Sequence, residues 1–186
     1  MTSKVKITPL PPIEILEARY KLVDSREGIL TKAYKVSPKS RRVTYEGSLV
    51  GSVTNNKGRR QAQVEWEDDT GRHMVRVQTS RIVYRMAYGP FDEALYVDHI
   101  DGDPSHNHPS NLRTCTAKQN MQNAKRRDTK ADGLPKGISA YGTQFAVDIN
   151  IGDGDRGVVL FENIRAATRY ADQIRKRFHG EFARNG

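Results

Sequence analysis

The sequence predicts an α+β fold built from small modules, and three observations carry that reading. At 186 residues the chain can bury one core of moderate size or two thin ones. Stretches that alternate every second residue, such as QAQVEW and TQFAVDINI, stand apart from stretches with apolar residues every third or fourth position, such as IRAATRYADQI. Strands and helices are thus grouped rather than interleaved as βαβ units. Finally, the charged run AKRRDTKADGLPKG has no apolar periodicity and contains Gly and Pro, which marks a linker.

The elements follow in order. After Pro11 and Pro12, the helical spacing of Ile13, Leu16 and Tyr20 predicts a helix over 13–22. From about 28 to 77 the pattern is that of strands: Ala62, Val64 and Trp66 alternate with polar residues, and NNKG and EDDTG supply turn chemistry on either side. Thr79 or Ser80 is placed to cap a helix through RIVYRMAY, which Gly89 and Pro90 end. Next, LYVDHI reads as a strand, DGDPSHNHPSN as a turn-rich loop and LRT as a second short strand. Thr116 followed by Gln119 fits a capping box, so AKQNMQNAKRR is expected to be helical with Asn120 and Asn123 on one face. Beyond the linker, Phe145, Val147, Ile149 and Ile151 share one strand face, and Gln144, Ala146, Asp148 and Asn150 the other. GVVLF is the neighbouring strand, and Ile164, Ala167, Ala171, Ile174 and Phe178 form the apolar stripe of a helix, expected to be core. The expected division is a β-rich N-terminal region with flanking helices (1–90), a central unit (91–128), a linker (129–135) and a sheet packed on one helix (136–186).

Charge narrows the partner. Thirty-one Lys and Arg against 22 Asp and Glu give +9 and a pI near 9.7, which attracts polyanions at long range. Nucleic acid is the leading partner class. A membrane is disfavoured, because no amphipathic helix has a broad Leu, Phe or Trp face and no segment approaches the ~20 apolar residues of a span. A cytoplasmic location is expected. The single cysteine, Cys115, excludes an internal disulfide and a zinc site built on several thiolates.

The segment VDHIDGDPSHNHPSNLRTCTAKQNMQN concentrates the chemistry. Phosphodiester hydrolysis needs a base for the nucleophile, a cation for charge on the leaving oxygen, and a rigid frame. Asp98 and Asn120 offer oxygen donors from a strand and a helix, a seat for a hard divalent ion, and His99 can serve as base. Strand alternation sends Asp98 and His99 to opposite faces, so the strand must end or twist at IDGD.

Asp98-His99, the DGD turn, Asn111-Leu112-Arg113, Asn120 and Asn123 resemble the motif of the HNH endonucleases, in particular the phage and intron-encoded homing group of the ββα-metal nucleases. The resemblance implies that Asp98 and Asn120 are metal ligands, that His99 is the general base, and that Asn111 braces the loop and orients that base. It also implies products with 5′-phosphate and 3′-hydroxyl ends. The third motif position is Asn120 rather than the His of the motif's name, and an all-oxygen pair suits Mg²⁺ or Mn²⁺ better than Zn²⁺. Arg113, Lys118, Asn123, Arg126 and Arg127 are expected to contact DNA, as is the run KSRR at 39–42. Downstream, GISAYGTQFAVDINIGDGDRGVVLFENIRAATRYADQIRKRFHGEFA is similar to the Apetala-type (ethylene-response-factor) DNA-binding domain, which lays a three-stranded antiparallel sheet in the major groove. The matching contact positions are Lys136, Ser139, Tyr141, Asp148, Asn150 and Arg156; several positions that are Arg or Trp in plant members differ here.

The bland readings hold elsewhere. His106 and His108 read as ordinary loop histidines, His73 and His179 as surface or half-buried residues, and Trp66 as core. The reading is a metal-dependent homing-type DNA endonuclease acting on double-stranded DNA in a bacterial host cell, with a monomer expected. The alternative is a non-enzymatic DNA-binding regulator that works through the C-terminal domain. An RNA-binding module has less support, since the chain has neither RNP-type aromatic strands nor a GXXG clamp.

Overall fold

Pro12, at φ −51°, starts helix α1 (Ile13–Arg19), whose Leu16 is fully buried. The computed structural model describes residues 8–32, 35–36, 43–54, 58–123, 133–152 and 155–183. α1 stops at Arg19, short of the Leu22 that the spacing predicts. Tyr20 instead opens strand β1 (Tyr20–Leu22), which pairs antiparallel with β2 (Ile29–Thr31), Tyr20 opposite Thr31. The pairing satisfies the backbone of 20–22 and still buries Tyr20, so helical spacing and strand register place the same ring in the core.

Strands β3 (Lys35–Val36) and β4 (Val43–Thr44) form a short antiparallel pair. β5 (Ser52–Val53), β6 (Arg60–Asp68) and β7 (Gly71–Gln78) form an antiparallel sheet in that order, with Asp68 opposite Gly71 at the tip of the β6–β7 hairpin. Ala62 and Val64 of β6 point into the core as their alternation predicts; Trp66 is half-buried against the same core and stacks on His73 at 4.8 Å.

Helix α2 (Thr79–Tyr88) leaves β7 without a break. Its N-cap is Gln78, and neither Thr79 nor Ser80 caps it. Both lie inside the first turn and are buried, Thr79 reaching the Val50 carbonyl at 3.5 Å. The other end follows the expectation: Gly89 sits at φ +83° and donates its N–H to the Arg85 carbonyl. From α2, Arg81 donates to the carbonyls of Glu93 (3.2 Å) and Leu95 (2.8 Å), which fixes the chain as it enters β8 (Tyr96–His99). A long loop and a 3-10 turn (Pro109–Asn111) lead back to β9 (Leu112–Cys115), antiparallel to β8. Val97 and Leu112 of this hairpin join Leu16, Ile29, Val64 and Ile82 in one core, so the hairpin is anchored from below.

The chain divides into two compact units, Met1–Thr116 and Ala117–Gly186. The second begins with α3 (Ala117–Asn123) and contains β10 (Ile138–Tyr141), β11 (Gln144–Gly152) and β12 (Asp155–Phe161), an antiparallel sheet in that order, with α4 (Ile164–His179) over one face. Ile138, Val147, Ile149, Ala167 and Ala171 make its core. Phe178 does not join them and is 45% exposed. Before its last turn α4 buries Arg175 instead, which donates to the Lys136 carbonyl at 2.6 Å, and Phe182 beyond the helix is buried as well. Among the described residues the fold is a mixture of four α-helices and small antiparallel sheets, consistent with α+β.

Candidate active site

Asp98 and His99 close strand β8, opposite Arg113 and Leu112 of β9. The ladder is regular through His99 and then ends: Ile100 N–H donates to the Asn111 carbonyl and Gly102 N–H to the His99 carbonyl, each at 2.8 Å. The strand ends at IDGD, where the sequence allows it, but the pairing is still regular at both Asp98 and His99.

Both side chains are buried, Asp98 at 8% and His99 at 5% exposure. Burying a carboxylate requires a counter-charge. Arg113 supplies it, its Nε and Nη2 both 3.3 Å from Asp98 Oδ2. Arg113, expected at the DNA, thus spends its guanidinium at least in part on the adjacent strand.

His99 Nε2 lies 3.1 Å from Asn107 Oδ1. An amide oxygen can only accept, so Nε2 carries the hydrogen and the ring lone pair resides on Nδ1. Burial is the main influence on the imidazole and lowers its pKa below the ordinary value; the Arg59 charge adds to this, while the Asn107 hydrogen bond and the Asp98 and Asp101 charges oppose it. The result is a neutral ring able to accept a proton at neutral pH.

Asn111 is fully occupied with the loop. Its Oδ1 accepts from Asp101 N–H at 3.1 Å, and its Nδ2 donates to Asp101 Oδ1 (3.0 Å) and the His106 carbonyl (2.8 Å). These bonds tie Asn111 to the loop, while the amide of Asn107 meets His99. Asp101 also meets His106 Nδ1 at 2.7 Å and accepts from Asp103 N–H at 2.8 Å. Its carboxyl is held at about 2: burial raises it, but the Asp103 N–H, Asn111 and His106 together outweigh that. His108 is tied to Asp24 (2.8 Å) and Ser110 (2.7 Å). Most of the polar side chains of this loop are therefore engaged in folding it around His99.

A hard divalent ion is compatible with this donor set. Mg²⁺ is commonly held through one or two carboxylates together with substrate phosphates, and Asp98 is such a carboxylate. Soft ligation has no support: burial and the Asp98 charge push the Cys115 thiol up to about 11, so it stays protonated. Among the described residues no group of three or more His, Cys, Asp or Glu is placed to hold a metal.

The remaining expected site residues are distributed as follows. Asn120, Lys118 and Asn123 lie on α3 of the second unit, Lys118 exposed, Asn120 half-buried and Asn123 buried. Lys136 Nζ donates to the Gln122 carbonyl at 2.9 Å. Ser139 and Tyr141 are on β10, Tyr141 65% exposed. Asp148 of β11 and Arg156 of β12 form an exposed pair at 3.9 Å, and Asn150 is opposite Arg156 in the register. Arg126, Arg127 and the run 39–42 lie outside the described residues.

Sequence reasoning missed Asn107 and Arg59. Asn107 stood between two histidines with no spacing rule to single it out, and Arg59 is forty residues upstream, just before β6, where only the fold brings its charge near the imidazole.

Among the described residues no helix is long and apolar enough to cross a membrane. No solved structure matches the chain. Protein 3.8 of Escherichia phage T7 is 29% identical over 103 residues, which cover 55% of this chain and 84% of that protein. The HNH endonuclease family model matches residues 77–122, from the end of β7 through α2, the β8–β9 hairpin and most of α3, and this domain supports a nuclease, a hydrolase acting on DNA.

Proposed function

We propose that the protein is a metal-dependent, homing-type DNA endonuclease of the HNH class in which His99 is the general base. The observation that carries this reading is the buried His99 imidazole, held through Nε2 by Asn107 and next in sequence to the buried carboxylate of Asp98, within the matched domain. In the proposed reaction Nδ1 of His99 removes a proton from water, which attacks the scissile phosphorus and leaves 5′-phosphate and 3′-hydroxyl ends. Asp98 is the anionic metal ligand, and the motif resemblance assigns Asn120 as the second oxygen donor. A Mg²⁺ or Mn²⁺ ion bound there would neutralise charge on the leaving oxygen. Asn111 holds the loop closed. Residues 91–128 are the proposed nuclease and 136–186 an Apetala-like DNA-binding domain, whose sheet positions Lys136, Tyr141, Asp148, Asn150 and Arg156 would face double-stranded DNA. Lys118, Asn123, Arg126 and Arg127 would support it near the motif. The protein would act as a monomer in the cytoplasm of a bacterial host.

Metal exchange tests the cofactor assignment. Plasmid cleavage is expected with Mg²⁺ or Mn²⁺ and not with Zn²⁺ alone, because the proposed ligands are oxygens. Undiminished cleavage in EDTA would overturn the metal assignment.

A pH profile tests the base. Because the imidazole is held below its ordinary 6.5, the deprotonated form persists into mildly acidic solution. The acid limb of kcat/KM should therefore have its midpoint below about pH 6.5, with activity roughly level from there to about pH 8. A midpoint well above neutral would contradict a buried neutral base.

A further inference from the structure

Strand β12 (Asp155–Phe161) is an edge of its sheet: β11 pairs with one side and, among the described residues, no strand pairs with the other. An open edge presents a row of unpaired N–H and C=O groups, which proteins ordinarily blunt with Lys, Pro, a bulge or a very short strand. The opposite edge, β10, is guarded in this way: it has four residues and follows Pro135 and Lys136. β12 is not, since its run from Gly157 to Phe161 reads GVVLF, with neither charge nor proline. Its side chains are also open to solvent. Val158 and Leu160 on the face away from α4 are 62% and 43% exposed, and Val159 on the other face is 37% exposed.

A second copy of the same strand fits this edge. Antiparallel pairing about a two-fold axis keeps every side chain on its own face, so the register must centre on one residue that meets itself. Centred on Val159, the pairing sets Val158 opposite Leu160 of the second copy, Gly157 opposite its Phe161, and Arg156 opposite its Glu162. Val158 and Leu160 thereby cover one another. A Cβ at Gly157 would meet nothing within 4 Å, which leaves room there for an aromatic ring. Arg156 and Glu162 are both exposed and bring opposite charges together at each end of the contact. Moving the centre to Val158 would put Arg156 opposite Leu160, and moving it to Leu160 would put Val158 opposite Glu162. Each shift sets a charge against an apolar side chain.

We propose that β12 is a self-pairing edge, through which two copies of the chain bound to one duplex join their three-stranded sheets antiparallel, centred on Val159. A single pair of short strands buries far less than the roughly 1,200 Å² of a stable complex. The free chain therefore stays a monomer. A duplex that holds two copies within reach raises their effective concentration to about the mM range, where a weak contact closes. This role of the duplex rests on the reading of the protein as DNA-binding; the strand pairing does not. Two-fold pairing matches inverted half-sites and sets two nuclease units on one duplex.

The test is oxidative crosslinking of the full chain carrying Val159→Cys. Residues directly opposite in an antiparallel pair have Cα atoms about 4.5–5.5 Å apart, within reach of a disulfide. The native Cys115 is buried and does not compete. Without DNA, a covalent dimer is expected only at high protein concentration, and duplex DNA should lower the concentration needed at least about tenfold. Arg169→Cys, exposed on α4, should stay monomeric in both conditions. At high concentration without DNA, adding Glu162→Lys to Val159→Cys sets like charges opposite at both ends and should reduce the dimer at least about fivefold; adding Arg156→Glu as well should restore it. Circular dichroism checks that each variant folds, and if a charge variant does not, Val159→Cys against Arg169→Cys decides alone. No dimer from Val159→Cys at any concentration, as much dimer from Arg169→Cys, or indifference to Glu162→Lys in a folded chain would overturn the pairing. A dimer that forms at the same concentration with and without duplex would sustain the pairing and overturn the role of DNA in it.

Discussion

His99→Ala lowers DNA cleavage on the order of 10²–10⁴-fold, the range ordinarily supplied by a general base, and leaves DNA affinity within about threefold of wild type. The imidazole is buried and held by Asn107, so its removal takes away a proton acceptor and little else that DNA could contact. The truncation also leaves a small cavity, at a cost of roughly 1–3 kcal/mol, which a melting curve separates from the catalytic loss. Raising the metal concentration should not restore activity, because a missing base is not a missing ligand. Cleavage by His99→Ala at the wild-type rate between about pH 6 and 8 would remove His99 from the mechanism, and the non-enzymatic regulator would become the better reading.

Asp98→Asn abolishes cleavage at low Mg²⁺, recovers part of it at high Mg²⁺, and melts earlier than wild type. The metal response follows from the loss of an anionic ligand, which weakens ion binding without touching the base. The stability loss has a separate cause. Asp98 pairs with Arg113 inside the β8–β9 hairpin, both side chains nearly buried, and removing one charge of such a pair commonly costs about 3–5 kcal/mol. Other contacts of Arg113 should keep the loss toward the lower end of that range. Replacing both residues, as in Asp98→Asn with Arg113→Met, should regain stability and not activity. Recovery of cleavage in that double variant would show that Asp98 serves only as the partner of Arg113.

Much of this was legible where a local rule governs. The alternation of Ala62, Val64 and Trp66 predicted β6, Gly89 predicted the end of α2, and LYVDHI predicted β8 with Asp98 and His99 at its end. The departures have long-range causes. Tyr20 fits a helical stripe by spacing, but Thr31, on a strand eleven residues away, draws it into a hairpin. Phe178 fits the stripe of α4, yet the Lys136 carbonyl gives buried Arg175 a partner there, and the aromatic ring that is buried is Phe182, beyond the helix. The motif residues Asp98, His99 and Asn111 were visible because their order and spacing follow the hairpin. Asn107 was not, because its place beside His99 depends on contacts with Arg26 and Gly28, and nothing in the local sequence announces that a turn eighty residues upstream will lie on it.

Basic composition adds a prediction that concerns binding alone: affinity for duplex DNA should fall steeply as salt rises, since phosphate contacts by Lys and Arg release counterions. A regulator would behave in the same way, so binding does not decide the function. The decisive measurement is incubation of the purified wild-type protein with supercoiled plasmid and Mg²⁺, with His99→Ala alongside. The account predicts nicked or linear products bearing 5′-phosphate ends from the wild type, none in EDTA, and almost none from the variant. Tight binding that leaves the plasmid supercoiled with Mg²⁺ and with Mn²⁺ would contradict it.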